Sequence, residues 1–182
     1  SGNAGSGKTA LLLQTAANSE HPVVLLNTDM HQSDLRTRLI TVVTGASKED
    51  IVNSPKEQRE KLVEITRGSL AHLKIEDGKS GFYSLGLLKD RVLEVKDTHN
   101  PDTVLVIIDS FNNWVDTAVN HSGRNKDEIV AEALANLIDF IQEYDITVLV
   151  SAQSTNEVVH RSVNDALLAQ ANTYISLSWE RG

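Results

Sequence analysis

The chain has 182 residues, 40% of them apolar and 23% charged, the make-up of one soluble globular domain with room for a substantial core. It has no cysteine, which excludes disulfides and thiolate metal sites and fits a reducing cytoplasm. No apolar run approaches the ~20 residues of a membrane span and no secretory signal opens the chain, while a net charge of −8 weighs against general polyanion binding by the isolated domain.

The first element is Gly2-Asn3-Ala4-Gly5-Ser6-Gly7-Lys8-Thr9, which matches G-x-x-x-x-G-K-[ST], the phosphate-binding loop. Its glycines let backbone N–H groups turn inward around a phosphate where a Cβ would crowd them. The run Lys8–Asn18 reads as a helix with Leu11, Leu12, Thr15 and Ala16 on one face, so its N-terminus, Ala10 included, faces the same phosphates. In such a loop Lys8 reaches the β/γ-phosphates of ATP or GTP and the Thr9 hydroxyl ligates Mg²⁺. A strand normally precedes this loop. The chain is therefore expected to be a fragment of one domain spanning 1–182, without its first strand and without C-terminal strands.

His21-Pro22 is a break, and Val23–Leu26 is an all-apolar run suited to a buried parallel strand, ending at Asn27-Thr28-Asp29. Ser33 or Asp34 is expected to cap a helix with Leu35, Leu39, Ile40 and Val43 inward, closed by Gly45. Ala46–Asn53 and Pro55–Arg67 read as helices, His72–Ile75 as a strand and Asp77–Ser84 as a loop. Leu85–Thr98 is an amphipathic helix with Leu88, Val92 and Val95 on one face, and Val104–Ile108 is a buried strand ending in Asp109. Thr117–Lys126 is expected to be an exposed loop. Glu128–Tyr144 reads as a helix with Ile129, Val130, Ala133, Leu134, Leu137, Ile138 and Ile141 inward. Thr147–Val150 is a strand running into Ser151-Ala152-Gln153. A short helical patch within Ser154–Asn172 and a strand over Thr173–Ser178 follow. This alternation predicts an α/β three-layer sandwich, a mostly parallel sheet with helices on both faces, whose ligands bind at the carboxyl ends of the strands. Asp29, Asp109 and Gln153 stand there.

Val104–Asp109, an apolar strand ending in a carboxylate, follows the Walker B pattern, and Asp109 is expected to hold Mg²⁺ directly or through water. Asp29 is a candidate to deprotonate the attacking water, against the reading of a helix N-cap or a loop carboxylate that its residue type favours. Gln153 is a candidate to sense the γ-phosphate, against that of a polar strand terminator. Arg124 and Lys126 read as a solvated loop rather than as contacts to DNA phosphates. Phe111 and Trp114 read as core rather than as stacking platforms. The six histidines show no metal-ligand spacing.

Asn27-Thr28-Asp29-Met30, followed by Leu35, Arg38, Leu39 and Ile40, resembles the second motif of DnaB-type replicative helicases, in which a strand ends in a catalytic Glu followed by Met. Leu85–Asp109 is similar to that family's helix and Walker B strand, and Arg124–Arg161 to its long helix, sensor strand and polar loop, all in the same order. The resemblance implies a RecA-like P-loop ATPase that assembles as a homo-hexameric ring, binds ATP between subunits and moves along single-stranded DNA. It implies Asp29 as general base, Thr9 and Asp109 as magnesium ligands and Gln153 as γ-phosphate sensor. The chain departs from the family in having Asp29 for Glu, a carboxylate withdrawn by roughly 1.5 Å, and Ala152 where Ser usually precedes the sensor. Arg161 is the only cation between Ser154 and Thr173, and the chain stops before the family's arginine finger. The alternatives are a recombinase-like or clock-protein-like RecA-fold ATPase, or a nucleotide-binding scaffold that no longer hydrolyses.

Overall fold

The computed structural model describes residues 7–78, 84–153, 165–173 and 175. Among the described residues four parallel strands form one sheet: β1 (Val23–Asn27), β2 (Leu73–Asp77), β3 (Val104–Asp109) and β4 (Ile146–Val150), in the order β2-β1-β3-β4. The helices described with them include α1 (Lys8–Ala17), α2 (Gln32–Thr44), α3 (Lys48–Asn53), α4 (Lys56–Ser69), α5 (Leu85–His99), α6 (Phe111–Ser122) and α7 (Lys126–Tyr144).

The period-two alternation of the central strands builds two cores. Val24, Leu26, Val104, Val106 and Ile108 face Leu88, Val92 and Val95 of α5, Phe111 and Trp114 of α6, and Leu134, Leu137 and Phe140 of α7. Val23, Leu25 and Ile107 face Leu12, Leu13 and Ala16 of α1 and Leu35 and Leu39 of α2. β1, buried along its whole length, carries side chains into both cores, which explains its unbroken apolar run. Fully burying each Val, Leu or Ile contributes about 1.5–3 kcal/mol. The three-layer α/β sandwich expected from the alternation is the fold observed.

Several local expectations are corrected. Thr117–Lys126 is not a loop: α6 runs through it to Ser122 and ends at Gly123, whose φ of 65° is the left-handed conformation glycine favours. Its inward residues Phe111, Trp114 and Val115 are spaced i, i+3, i+4, so tertiary burial outweighs the polar residues of the opposite face. His31, not Ser33 or Asp34, caps α2, because the helix starts at Gln32 and the imidazole accepts from the Ser33 N–H. Asp34 then falls in the first turn, where it faces Lys48 at 3.4 Å. Leu11 points outward at 42% exposure, and Leu13 takes its place in the core. In α7 the buried residues are Ile129, Val130, Leu134, Leu137 and Phe140, the last not expected there, while Ala133, Ile138 and Ile141 are only partly buried. A helical turn over 165–170 falls within the polar stretch expected to hold one. The expected strand Thr173–Ser178 lies largely outside the described residues.

Candidate nucleotide site

The carboxyl ends of the strands meet the N-terminus of α1. Gly7 caps that helix with φ 86°, a conformation that strains any residue with a Cβ. Lys8 and Thr9 begin the helix, half-buried, and Ala10 is exposed. Gly2, Gly5 and Ser6 of the predicted loop lie outside the described residues.

The Thr9 hydroxyl donates to Asp109 Oδ2 at 2.8 Å, joining α1 to the end of β3. The Ser151 hydroxyl, just beyond β4, donates to the other oxygen, Asp109 Oδ1. Asp109 is only 4% exposed. Burial raises its pKa, against the two hydroxyl hydrogen bonds that favour the charged form; the Asp29 carboxylate raises it further and the Lys8 ammonium opposes this. Burial lowers the pKa of Lys8, and the charges of Asp109 and Asp29 oppose that shift. Lys8, Asp29 and Asp109 thus share one electrostatic neighbourhood at the strand ends.

β1 delivers Asp29 through a turn shaped by Asn27. The Asn27 side chain donates from Nδ2 to the Met30 carbonyl at 2.6 Å and accepts from the Met30 N–H at 3.1 Å. Within that turn the buried Thr28 hydroxyl donates to the Ser110 carbonyl and accepts from the Ser110 N–H, both at 2.8 Å. The Asp109–Ser110 peptide is cis. Gly78, after β2, completes the fit: a Cβ there would stand 2.7 Å from Thr28 Cγ2 and 2.9 Å from Leu26 Cδ1. Asp29 does not cap a helix. Its Oδ1 accepts from Asn113 Nδ2 at 2.7 Å. Gln153, half-buried beyond β4, donates its backbone N–H to Asn112 Oδ1 at 2.9 Å.

Sequence reasoning named Lys8, Thr9, Asp29, Asp109 and Gln153, and the structure gathers them at one end of the sheet. It did not find Asn112, Asn113 and Ser151. The signal available was their position, immediately after an apolar strand that ends at the site. Ala152 has no hydroxyl to offer, and it is Ser151 that reaches Asp109. Arg124, between α6 and α7, pairs with Glu132 of α7, and Lys126, the first residue of α7, pairs with Asp116 of α6. Phe111 and Trp114 are buried edge-to-face, centroids 5.7 Å apart, as core.

A hydroxyl and a carboxylate are hard oxygen donors of the kind Mg²⁺ takes. Among the described residues no group of three or more His, Cys, Asp or Glu gathers to cage a metal. An ion here would take its remaining ligands from phosphate and water, as Mg²⁺ does.

Residues 1–170 match the family model of the DnaB-like helicase C terminal domain. The chain belongs to the DnaB-like helicase family. Two solved structures share its fold. The first, an ATPase domain, superposes with a TM-score of 0.72 at 16% identity over 91% of this chain. The second, a DnaB-like replicative helicase described with its interactions with primase, superposes with a TM-score of 0.64 at 16% identity over 94% of this chain. The DnaB-like domain spans 64% of the first structure and 39% of the second. A comparison with the curated proteins gives no match. The sheet order and these superpositions make the fold RecA-like. Among the described residues no helix is long and apolar enough to cross a membrane.

Proposed function

We propose that this domain is the motor of an ATP-dependent DNA helicase, hydrolysing Mg-ATP and using the cycle to move along single-stranded DNA as part of a homo-hexameric ring. The observation that carries the reading is the Thr9–Asp109 hydrogen bond of 2.8 Å, with Lys8 and Asp29 in the same electrostatic neighbourhood. This is the pairing a phosphate loop and a Walker B carboxylate require around one metal–phosphate centre. Membership of the DnaB-like family supports the choice of DNA over other work for the same fold.

Each residue has a part. Gly5, Ser6, Gly7, Ala10 and the start of α1 present N–H groups to phosphate, and Gly2 opens the loop. Lys8 pairs with the β/γ-phosphates. Thr9 and Asp109 hold Mg²⁺, which when bound neutralises charge on the phosphates. Asp29 orients and deprotonates the attacking water, and Gln153 senses the γ-phosphate. Asp29 reaches less far than a Glu, and the Asn27-shaped turn sets where its backbone stands.

Steady-state ATP hydrolysis with and without single-stranded DNA, over a range of salt, tests the proposal. The expected result is hydrolysis stimulated by DNA, with binding that weakens steeply as salt rises. Hydrolysis indifferent to DNA, with no salt-dependent binding, overturns the helicase reading in favour of a RecA-fold ATPase with another task. ATP binding without hydrolysis points to a scaffold.

A further inference from the structure

The first turn of α6 follows Asp109 directly and touches the ends of three strands. Ser110 is held at both backbone groups by Thr28, at the end of β1. The Phe111 N–H donates to the Ser151 carbonyl at 2.9 Å, and Asn112 Oδ1 accepts from the Gln153 N–H, both beyond β4. Asn113, the third residue of the helix, donates to Asp29 Oδ1 at 2.7 Å across 84 positions. Its backbone is anchored, since Phe111, Asn112 and Trp114 around it are buried and its carbonyl accepts from the Thr117 hydroxyl at 2.8 Å.

We propose that Asn113 is a positioning residue for Asp29: its side-chain amide fixes the rotation of the carboxylate on the rigid turn that also carries Asp109 and seats Gln153. The assignment rests on the hydrolysis reading above. A carboxylate only accepts, so the amide nitrogen is the group that faces it. A charge-assisted bond from an amide, a donor that does not titrate, fixes the orientation of the carboxylate. The need for such a holder follows from side-chain length. Asp has only two side-chain torsions, so one hydrogen bond to Oδ1 sets the direction of the whole group. A misplacement of about 1 Å in a positioned site can cost a hundredfold in rate.

The test is a double-mutant cycle on the protein's ATP turnover, using Asn113→Ala, Asp29→Asn and the pair. Asn113→Ala is expected to lower kcat roughly ten- to a hundredfold while KM for ATP stays within about threefold, because the bond acts on the water-activating group and not on nucleotide binding. In the Asp29→Asn background the same substitution is expected to change nothing further. An unchanged or raised kcat in Asn113→Ala, or an equal loss in both backgrounds, overturns the assignment and leaves the hydrolysis reading standing. A parent protein without ATP hydrolysis overturns that reading and this assignment together. A measurement independent of activity covers the case in which Asn113→Ala does not fold. The side-chain amide resonances of Asn113 are expected to move in Asp29→Ala, and resonances that stay in place overturn the assignment.

Discussion

Thr9 and Asp109 stand 100 positions apart in the chain and 2.8 Å apart in space, the hydroxyl of one donating to the carboxylate of the other. The contact joins α1, packed on one face of the sheet, to the end of the central strand β3. Thr9→Val keeps the shape and removes the donor. Losing one partner of a largely buried polar group costs about 1–3 kcal/mol, which lowers Tm by roughly 2–4 °C per kcal/mol in a domain of this size. Thr9→Val is expected to melt earlier by that measure and to lose the Mg²⁺ dependence of nucleotide binding. Thr9→Ser is expected to retain both, read by thermal melts with and without Mg-ATP.

Asp109 makes a pH prediction with a definite sign. Its folded-state pKa lies above the ordinary carboxylate value, because burial outweighs the hydrogen bonds from Ser151 and Thr9. Between those two values the folded state binds more protons than the unfolded chain, so stability falls as pH rises through that window. At neutral pH the full penalty of a buried charge is present. Asp109→Asn is expected to melt at or above the parent at pH 7.5 without metal, and to show a flatter dependence of Tm on pH through the acid range. It is also expected to gain no stability from Mg-ATP. A variant that melts well below the parent at neutral pH, yet still responds to Mg-ATP, contradicts the account.

Lys8 and Asp29 should separate binding from turnover. Lys8→Ala is expected to weaken ATP about ten- to a hundredfold, the worth of a charge-assisted hydrogen bond of about 1.5–3 kcal/mol. Titration with a fluorescent nucleotide reads it. Asp29→Asn is expected to bind ATP within a few-fold of the parent and to lose about 10²–10⁴ in hydrolysis, the usual contribution of a general base. Asp29→Glu keeps a carboxylate and should turn over. Unchanged rates in both Asp29 variants would remove the residue from the mechanism.

Trp114 is expected to report on folding and not on DNA. It is 5% exposed and packs edge-to-face on Phe111. Trp114→Ala should destabilise the domain by about 3–5 kcal/mol in denaturant melts. Any loss of DNA binding should follow the fraction unfolded. A stable, folded Trp114→Ala that has lost DNA affinity would contradict a purely core role.

The amino-acid sequence determined by itself whatever rests on local pattern. The apolar runs of Val23–Leu26 and Val104–Ile108, each closed by a polar residue, foretold buried parallel strands. The spacing of Leu88, Val92 and Val95 foretold the inward face of α5. Where local pattern and burial disagreed, burial decided. Phe111, Trp114 and Val115 hold α6 together because they land on the sheet, although its second half from Thr117 reads as loop. Only the tertiary structure paired the polar groups. The parallel register sets Asn27 opposite Asp109, so the turn after β1 and the turn after β3 stand side by side. That register brings Thr28 to Ser110 and Asp29 to Asn113. A carboxylate or an amide carries no sign in the sequence of which partner it will meet, because its hydrogen bond depends on distances that the strand alignment alone creates.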